Sequence, residues 1–537
     1  MGILRRAGQS RFPGRHFCDA ALLIVILAQI FLPALGNIHA QPVQFVARSG
    51  DKLVLNGQPF YFLGANAYYL MESAAHGDTA AVKALFSTAR ALGLGVIRTW
   101  GFFDSPDSLN PAVIQYRPGA FNESALRALD FVVYQAQMNN VRLLIPLVNG
   151  WDEYGGMNQY VRWRVHYPVA KGDTNQLHDG IRAGQAIVRG PRGQSYLIRI
   201  DPLYGHDDFY SDSLIVRWYQ TYVAMILQRT NTYTGVQFRN EQAVFGWELA
   251  NEPRSSDRSG QLISRWTVMT SLLIKSIDQN HLVGTGEEGF DNTGTGYSGD
   301  AYAGGSWMFD GSEGISFSTN SAVPMIDFAS IHLYPGSWNI SNGSGNTWIR
   351  DHIQIARSVG KPLVVGEFGV REFKVPTYES WLTTALLDGA AGALVWQLLE
   401  GVRSDGEGFG FRCPDDAPLC SVLGTYAAQF DAKSRSGELP TPAAYSLYQN
   451  YPNPFNGITT IAYDLPYESF VRLGLYDVLG HRIATLVDGV QQAGSRRELV
   501  DVTNRATGAY FYRLMVTPAE TGSGQTYSQT RKMLIIK

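Results

Sequence analysis

The run Trp247-Glu248-Leu249-Ala250-Asn251-Glu252-Pro253-Arg254 is apolar at its start and ends in two polar side chains and a proline. Proline cannot donate to a sheet ladder, so a strand here stops with Asn251 and Glu252 at its rim. A second carboxylate, Glu367, ends the apolar run Val364-Val365-Gly366-Glu367-Phe368-Gly369. Two carboxyl groups facing each other across a cleft can divide the work of glycosidic bond cleavage. One stays protonated to assist the leaving oxygen, and the other stays ionised to attack the anomeric carbon. Either glutamate alone is weak evidence, because structural carboxylates at strand ends are common.

Three further runs end in groups suited to a sugar site: Arg98 and Trp100, His332 and Tyr334, and Trp396. An arginine can hydrogen-bond a carboxylate and hold it ionised. An indole face stacks on the apolar face of a pyranose. A lone His or Trp is more often core, so the weight lies in five strand ends meeting at one place.

That meeting place requires a particular scaffold. Eight short apolar runs alternate with helix-compatible stretches between Phe60 and Leu398, beginning near Phe60, Val96, Leu143, Val244, Leu282, Phe328, Leu363 and Ala393. Strands buried on both faces and alternating with helices predict a parallel sheet, and eight of them predict a closed (β/α)8 TIM barrel, whose site is built at the strands' C-terminal ends. An open doubly wound sheet is the alternative, disfavoured because no glycine-rich dinucleotide fingerprint follows the first run. A hairpin around Ser49-Gly50-Asp51 is expected to cap the barrel floor, and an insertion from about Trp151 to Arg217 to lie above the active face. The expected domains are a catalytic barrel over 41–432, a linker over 433–446, and a small all-β Ig-like sandwich over 447–537 with alternating short strands.

Composition fits export. Residues 1–40 read as a signal peptide: Arg5, Arg6, Arg11 and Arg15 precede an apolar run from Ala20 to Leu35, with a small residue, Ala40, at the cleavage point. A membrane anchor is the alternative, but Gln29 and Pro33 interrupt a run shorter than the ~20 residues that span a bilayer. The formal charge is −3 for the full 537 residues, which argues against nucleic-acid or anionic-membrane partners. Outside the leader only Cys413 and Cys420 remain. An oxidising compartment would pair them across a local loop, two free thiols being the other reading. No His/Cys/Asp cluster has convincing metal-ligand spacing.

Trp247 to Arg254, with Gly366-Glu367-Phe368-Gly369, His332-Leu333-Tyr334-Pro335 and Trp396, resembles glycoside hydrolase family 5, and within it the endo-β-1,4-mannanases. The stretches around Arg98, Trp151, Asp208, Asn231 and Glu288 carry the same likeness, over roughly residues 43–430. The resemblance implies a retaining double displacement on mannan, galactomannan or glucomannan, with Glu367 as nucleophile and Glu252 as general acid/base. It implies that Arg98 and Tyr334 orient Glu367, Asn251 bonds the sugar 2-hydroxyl, His332 lines the cleavage subsite and Trp396 forms its floor. Trp100, Arg254, Trp151, Glu288 and Trp307 would bind substrate nearby, Trp307 being equally readable as a packed loop aromatic. The resemblance implies neither metal nor organic cofactor. Two departures are Gly150, in Asn149-Gly150-Trp151 where relatives commonly carry Asn-Asn-Trp, and Gly336, where an acidic residue is frequent. Tyr451-Pro452-Asn453-Pro454-Phe455-Asn456 and the closing Lys532-Met533-Leu534-Ile535-Ile536-Lys537 make the tail similar to sorting domains of type IX secretion substrates. That implies secretion machinery as a partner and a secreted or cell-surface location; an ordinary Ig-like accessory domain is the alternative. A monomer is expected. The other functional readings are an endo-β-1,4-glucanase of the same family and a non-catalytic glycan-binding protein.

Overall fold

The computed structural model describes residues 45–536, apart from 167–174, 178–185, 190–194, 199–203, 303–304, 402, 404, 438–440, 452, 503 and 519–525. The signal peptide expected over 1–40 lies outside the described residues. No helix among the described residues is long and apolar enough to cross a membrane.

All eight expected runs are strands: β1 (Phe62–Asn66), β2 (Val96–Arg98), β3 (Arg142–Pro146), β4 (Val244–Glu248), β5 (Leu282–Gly284), β6 (Ala329–Leu333), β7 (Leu363–Phe368) and β8 (Gly392–Val395). They form one parallel sheet in the order β5-β4-β3-β2-β1-β8-β7-β6, and a parallel bridge between Gly284 and Phe328 brings its two edges together. Almost every strand residue is buried, as expected where helices cover the outside and side chains fill the inside. The helices include α1 (Thr79–Leu92), α2 (Glu123–Met138), α3 (Ser213–Gln228), α4 (Gln261–Ile277), α5 (Phe317–Ala322), α6 (Ser344–Ser358), α7 (Lys374–Asp388) and α8 (Ala417–Ser436). Each follows its strand in turn, and the bridge that joins the two edges of the sheet rules out the open alternative.

The hairpin of Val46–Ser49 and Lys52–Leu55 closes the floor. Val46 and Leu53 share an apolar cluster with Phe62, Val96, Leu144, Phe245, Leu282 and Val364 from the strands above. Beyond the barrel, Ile458–Leu465 and Gly494–Asp501 pair in one sheet, while Ser469–Tyr476 lies between Arg482–Gln491 and Gly508–Pro518 in another. Leu473, Tyr463, Val500, Tyr512 and Met533 fill the sandwich core between them. The expected linker starts too early: Lys433 to Ser436 are the last turn of α8. Lys433 is held there because its ammonium donates to Leu386 O at 2.6 Å and lies over the Tyr61 ring, and Gly437, at φ +72°, ends the helix. Cys413 and Cys420 are joined by a disulfide.

Candidate active site

The geometry of the site begins with an irregularity in β7. Ile331 pairs with Val365 but His332 pairs with Glu367, so Gly366 is an extra residue in the ladder. Such a bulge re-aims the side chain after it. Glycine suits the position, because a Cβ there would lie 2.9 Å from Ser330 Oγ and 3.3 Å from the His332 ring. The segment after β4 is also unusual. Its backbone continues between two neighbours, with Asn251 N–H donating to Val148 O at 2.7 Å and Glu252 N–H to Gly286 O at 2.8 Å. Glu252 is thereby held at φ +47°, a conformation that costs a non-glycine residue on the order of 1 kcal/mol or more. Gly150 and Gly286 make room: a Cβ on the first would lie 2.1 Å from Glu252 O, and on the second, itself at φ +73°, 1.9 Å from Ala250 O.

These two backbones bring the carboxylates together. One oxygen of each glutamate and a nitrogen of His332 all lie within 4.8 Å of one another. Glu367 is almost fully buried; its Oε1 accepts from Arg98 Nη1 at 2.5 Å and its Oε2 from Tyr334 OH at 2.6 Å. Glu252 Oε2 accepts from Trp151 Nε1 at 2.5 Å, and its Oε1 lies 2.6 Å from His332 Nδ1. Arg98 also donates to Asn251 Oδ1 at 2.8 Å, and Asn251 Nδ2 donates to Asn149 Oδ1 at 2.9 Å. Removing Arg98 would leave buried carboxylates uncompensated, a loss of about 3–5 kcal/mol.

Burial raises both carboxyl groups above the ordinary range. It is opposed at Glu367 by His332, Arg98 and the Tyr334 hydroxyl, and at Glu252 by the Trp151 hydrogen bond and the charges of Arg254 and Arg98. Two such groups this close do not ionise together. A guanidinium and a phenol hold Glu367 directly, whereas Glu252 has an indole N–H and an imidazole, so Glu367 is the better ionised partner. Burial lowers His332, leaving it neutral near pH 7. The three residues could offer one ligand atom each to a cation, but the two carboxylates already carry three donors, from Arg98, Tyr334 and Trp151, and the His332 ring nitrogen is engaged with Glu252.

Outward from this pair, Arg254 forms a fork with Glu288, Nε to Oε2 at 2.7 Å and Nη2 to Oε1 at 2.8 Å, and its third arm reaches Glu313 at 2.5 Å. Burial, then the charge of Glu252, pushes Glu288 up to about 7. The guanidinium lies over both Trp151 and Phe290, and Trp307 packs on Phe290 at 5.0 Å. Trp151 is 42% exposed and free to meet a ligand. The end of the insertion reaches this region, since Tyr210 OH donates to Arg254 O at 2.8 Å.

Trp396 is half-buried, stacked on Tyr68 at 5.4 Å and 6°. Trp100 departs from expectation. It is 6% exposed and wedged among Tyr68, Phe102 and Tyr154, whose rings cover its faces, so it supports the wall rather than presenting a sugar platform. Strand-end reasoning passed over Asn66 and Asn149, although both follow apolar runs by the same rule that found Arg98. Asn66 accepts from Arg98 Nη1 at 3.2 Å and donates to Gly366 O at 2.9 Å. Glu313 lies in a loop without a local signal.

Residues 43–388 match the family described as GH family 5 beta-mannosidase-like, and residues 449–535 match the secretion system C-terminal sorting domain. Among relatives, the chain is 34% identical to mannan endo-1,4-beta-mannosidase 2 of Oryza sativa subsp. japonica, over 71% of this chain and 82% of that protein. It is 32% identical to a putative mannan endo-1,4-beta-mannosidase P of Arabidopsis thaliana, over 72% and 90%. Among solved structures, the endo-1,4-beta-mannanase of Rhizomucor miehei is 31% identical with a TM-score of 0.59, over 72% of this chain and all of that one. The endo-beta-1,4-mannanase of Thermotoga petrophila is 27% identical with a TM-score of 0.62, over 90% and 99%.

Proposed function

The chain belongs to the β-mannosidase-like glycoside hydrolase family 5, and from that membership we propose that it is a secreted endo-β-1,4-mannanase that cleaves internal bonds of mannan, galactomannan and glucomannan with retention. The observation that carries the chemistry is the pair of carboxylate oxygens within 4.8 Å of each other. That closeness fits the ~5–5.5 Å carboxyl separation of retaining enzymes better than the ~6.5–9.5 Å that inverting enzymes need to admit a water. The substrate class rests on the relatives' names.

Glu367 attacks the anomeric carbon while Glu252 gives its proton to the departing glycosidic oxygen. A covalent glycosyl-enzyme forms on Glu367. Glu252, now ionised and accepting from Trp151, removes a proton from water, which attacks the same carbon and frees Glu367. Arg98 and Tyr334 hold the nucleophile's oxygens, and Trp396 and Trp151 are the aromatic surfaces for the sugars. The sorting domain supports a secreted or cell-surface location; export by a type IX apparatus and removal of residues 1–40 are the finer reading.

Release of reducing ends from linear mannan and from soluble cellulose, measured in parallel with Glu367→Ala as the blank, tests the proposal. Activity on mannan that is lost in the variant supports it. Activity confined to cellulose makes the chain a glucanase, and binding without cleavage makes it a non-catalytic glycan-binding protein.

A further inference from the structure

Arg98 lies between two carboxylates, not one. Its Nε donates to Glu248 Oε2 at 2.7 Å, its Nη1 to Glu367 Oε1 at 2.5 Å and its Nη2 to Asn251 Oδ1 at 2.8 Å. Glu248 has no exposed surface, and its other oxygen accepts from Ser330 Oγ at 3.2 Å. Both its oxygens are thus engaged inside the barrel, and neither is offered to a sugar.

A buried arginine needs one counter-charge, and Glu367 already supplies it. A second carboxylate leaves the group with excess negative charge, which is not what stability alone would select. It does have two effects on Glu367. The guanidinium is a rigid planar fork, so fixing Nε on Glu248 and Nη2 on Asn251 fixes where Nη1 meets Glu367. The cation's field is also divided between two anions, so Glu367 is held in place without being stripped of basicity. Burial pulls Arg98 down, but Glu248 first and Glu367 second more than restore it, leaving it above its ordinary value.

We propose that Glu248 is a positioning residue for the nucleophile, acting through Arg98 to set both the place at which the guanidinium meets Glu367 and the share of its positive charge that Glu367 feels. This rests on the reading of Glu367 as nucleophile given above. The groups facing Glu367 are Arg98 from β2, Glu252 after β4, and His332 and Tyr334 from β6 and its end; Glu248 reaches it only through Arg98.

Glu248→Gln in the full chain separates charge from orientation, since the amide keeps an acceptor for Arg98 Nε while removing the anion. Glu367 should then titrate lower, by about 1 unit. This is read directly from the carboxyl carbon resonance of Glu367 in glutamate-labelled protein, assigned by its loss in Glu367→Gln. On mannan the acid limb of kcat/KM should move to lower pH by the same amount, with kcat falling roughly tenfold as the nucleophile weakens and KM little changed. Glu248→Leu, which removes orientation as well, should cost about a hundredfold in kcat. A Glu367 titration that does not move in Glu248→Gln overturns the proposal whatever the activity. A lowered melting temperature with an unmoved titration would make Glu248 only a neutraliser of Arg98. If the titration moves but the wild-type chain cleaves no glycan, the proposed function fails while the coupling of Glu248 to Glu367 stands.

Discussion

The two glutamates are chemically identical side chains, and their proposed roles are separated by what surrounds them. Arg98 and Tyr334 donate to Glu367, so its ionised form is favoured, while Glu252 draws on Trp151 and neutral His332. In Glu252→Ala, hydrolysis of mannan should fall by roughly 10³-fold or more. An aryl mannoside with an activated leaving group, which needs no acid, should still give a burst of phenol followed by slow turnover. Absence of a burst would remove Glu252 from the acid role. Trp151→Phe removes a hydrogen bond that favours the ionised form of Glu252, so its pKa should rise. The alkaline limb of kcat/KM, where the acid loses its proton, should therefore move to higher pH by about 1 unit or less. A shift to lower pH would contradict the assignment. Sequence made these two glutamates legible because each ends an apolar run. Glu248 was hidden because it sits inside one, where a carboxylate has no positional signature until its partner Arg98 is placed beside it.

Polar residues that follow a barrel strand gather at one mouth, and that regularity let Arg98, His332, Tyr334 and Trp396 be found from runs of apolar residues. The same rule, applied without exception, would have added Asn66 and Asn149. It failed at Trp100, because a strand end specifies where a residue starts and not what covers it; Tyr68 and Tyr154 come from other loops. Backbone irregularities were the least legible part. Nothing in Gly366-Glu367 announces the extra residue that aligns Glu367 with His332, and nothing in Gly286 announces the close approach of Ala250. Gly286→Ala must displace the segment that carries Glu252 or adopt a disfavoured φ of +73°. It should lower kcat by about a hundredfold and reduce unfolding free energy by roughly 1–3 kcal/mol. A variant with wild-type kinetics would show that the strained Glu252 backbone is not required for catalysis.

The molecule joins a catalytic barrel to a delivery domain with a separate core. Their apolar clusters share no residue, and the described contacts between them include Arg497 Nη1 donating to Thr384 Oγ1 at 2.9 Å and a Tyr451–Thr377 hydroxyl pair at 3.3 Å. Both lie on α7, on the outside of the barrel. Deleting residues after Gly437 should therefore leave kcat on soluble mannan within about twofold, since these contacts reach a barrel helix and none touches Glu252, Glu367 or Arg98, and should abolish export in the native host. Loss of activity in the purified truncation would mean that the tail helps to hold α7 and the strands beside it. The tail's short alternating strands set it apart in the sequence, but the polar look of Lys433-Ser434-Arg435-Ser436 disguised a helix end anchored by Lys433 on Leu386 and by Ser434 on Tyr61.

The retaining double displacement on β-1,4-mannan is tested most directly by following the anomeric protons of a mannohexaose digest by NMR from the first turnover. The predicted result is that the newly formed reducing end appears first as the β-anomer and only later equilibrates, with no signal from Glu367→Ala. An α-anomer formed first, or cleavage that survives in the variant, would contradict the roles assigned to Glu252 and Glu367.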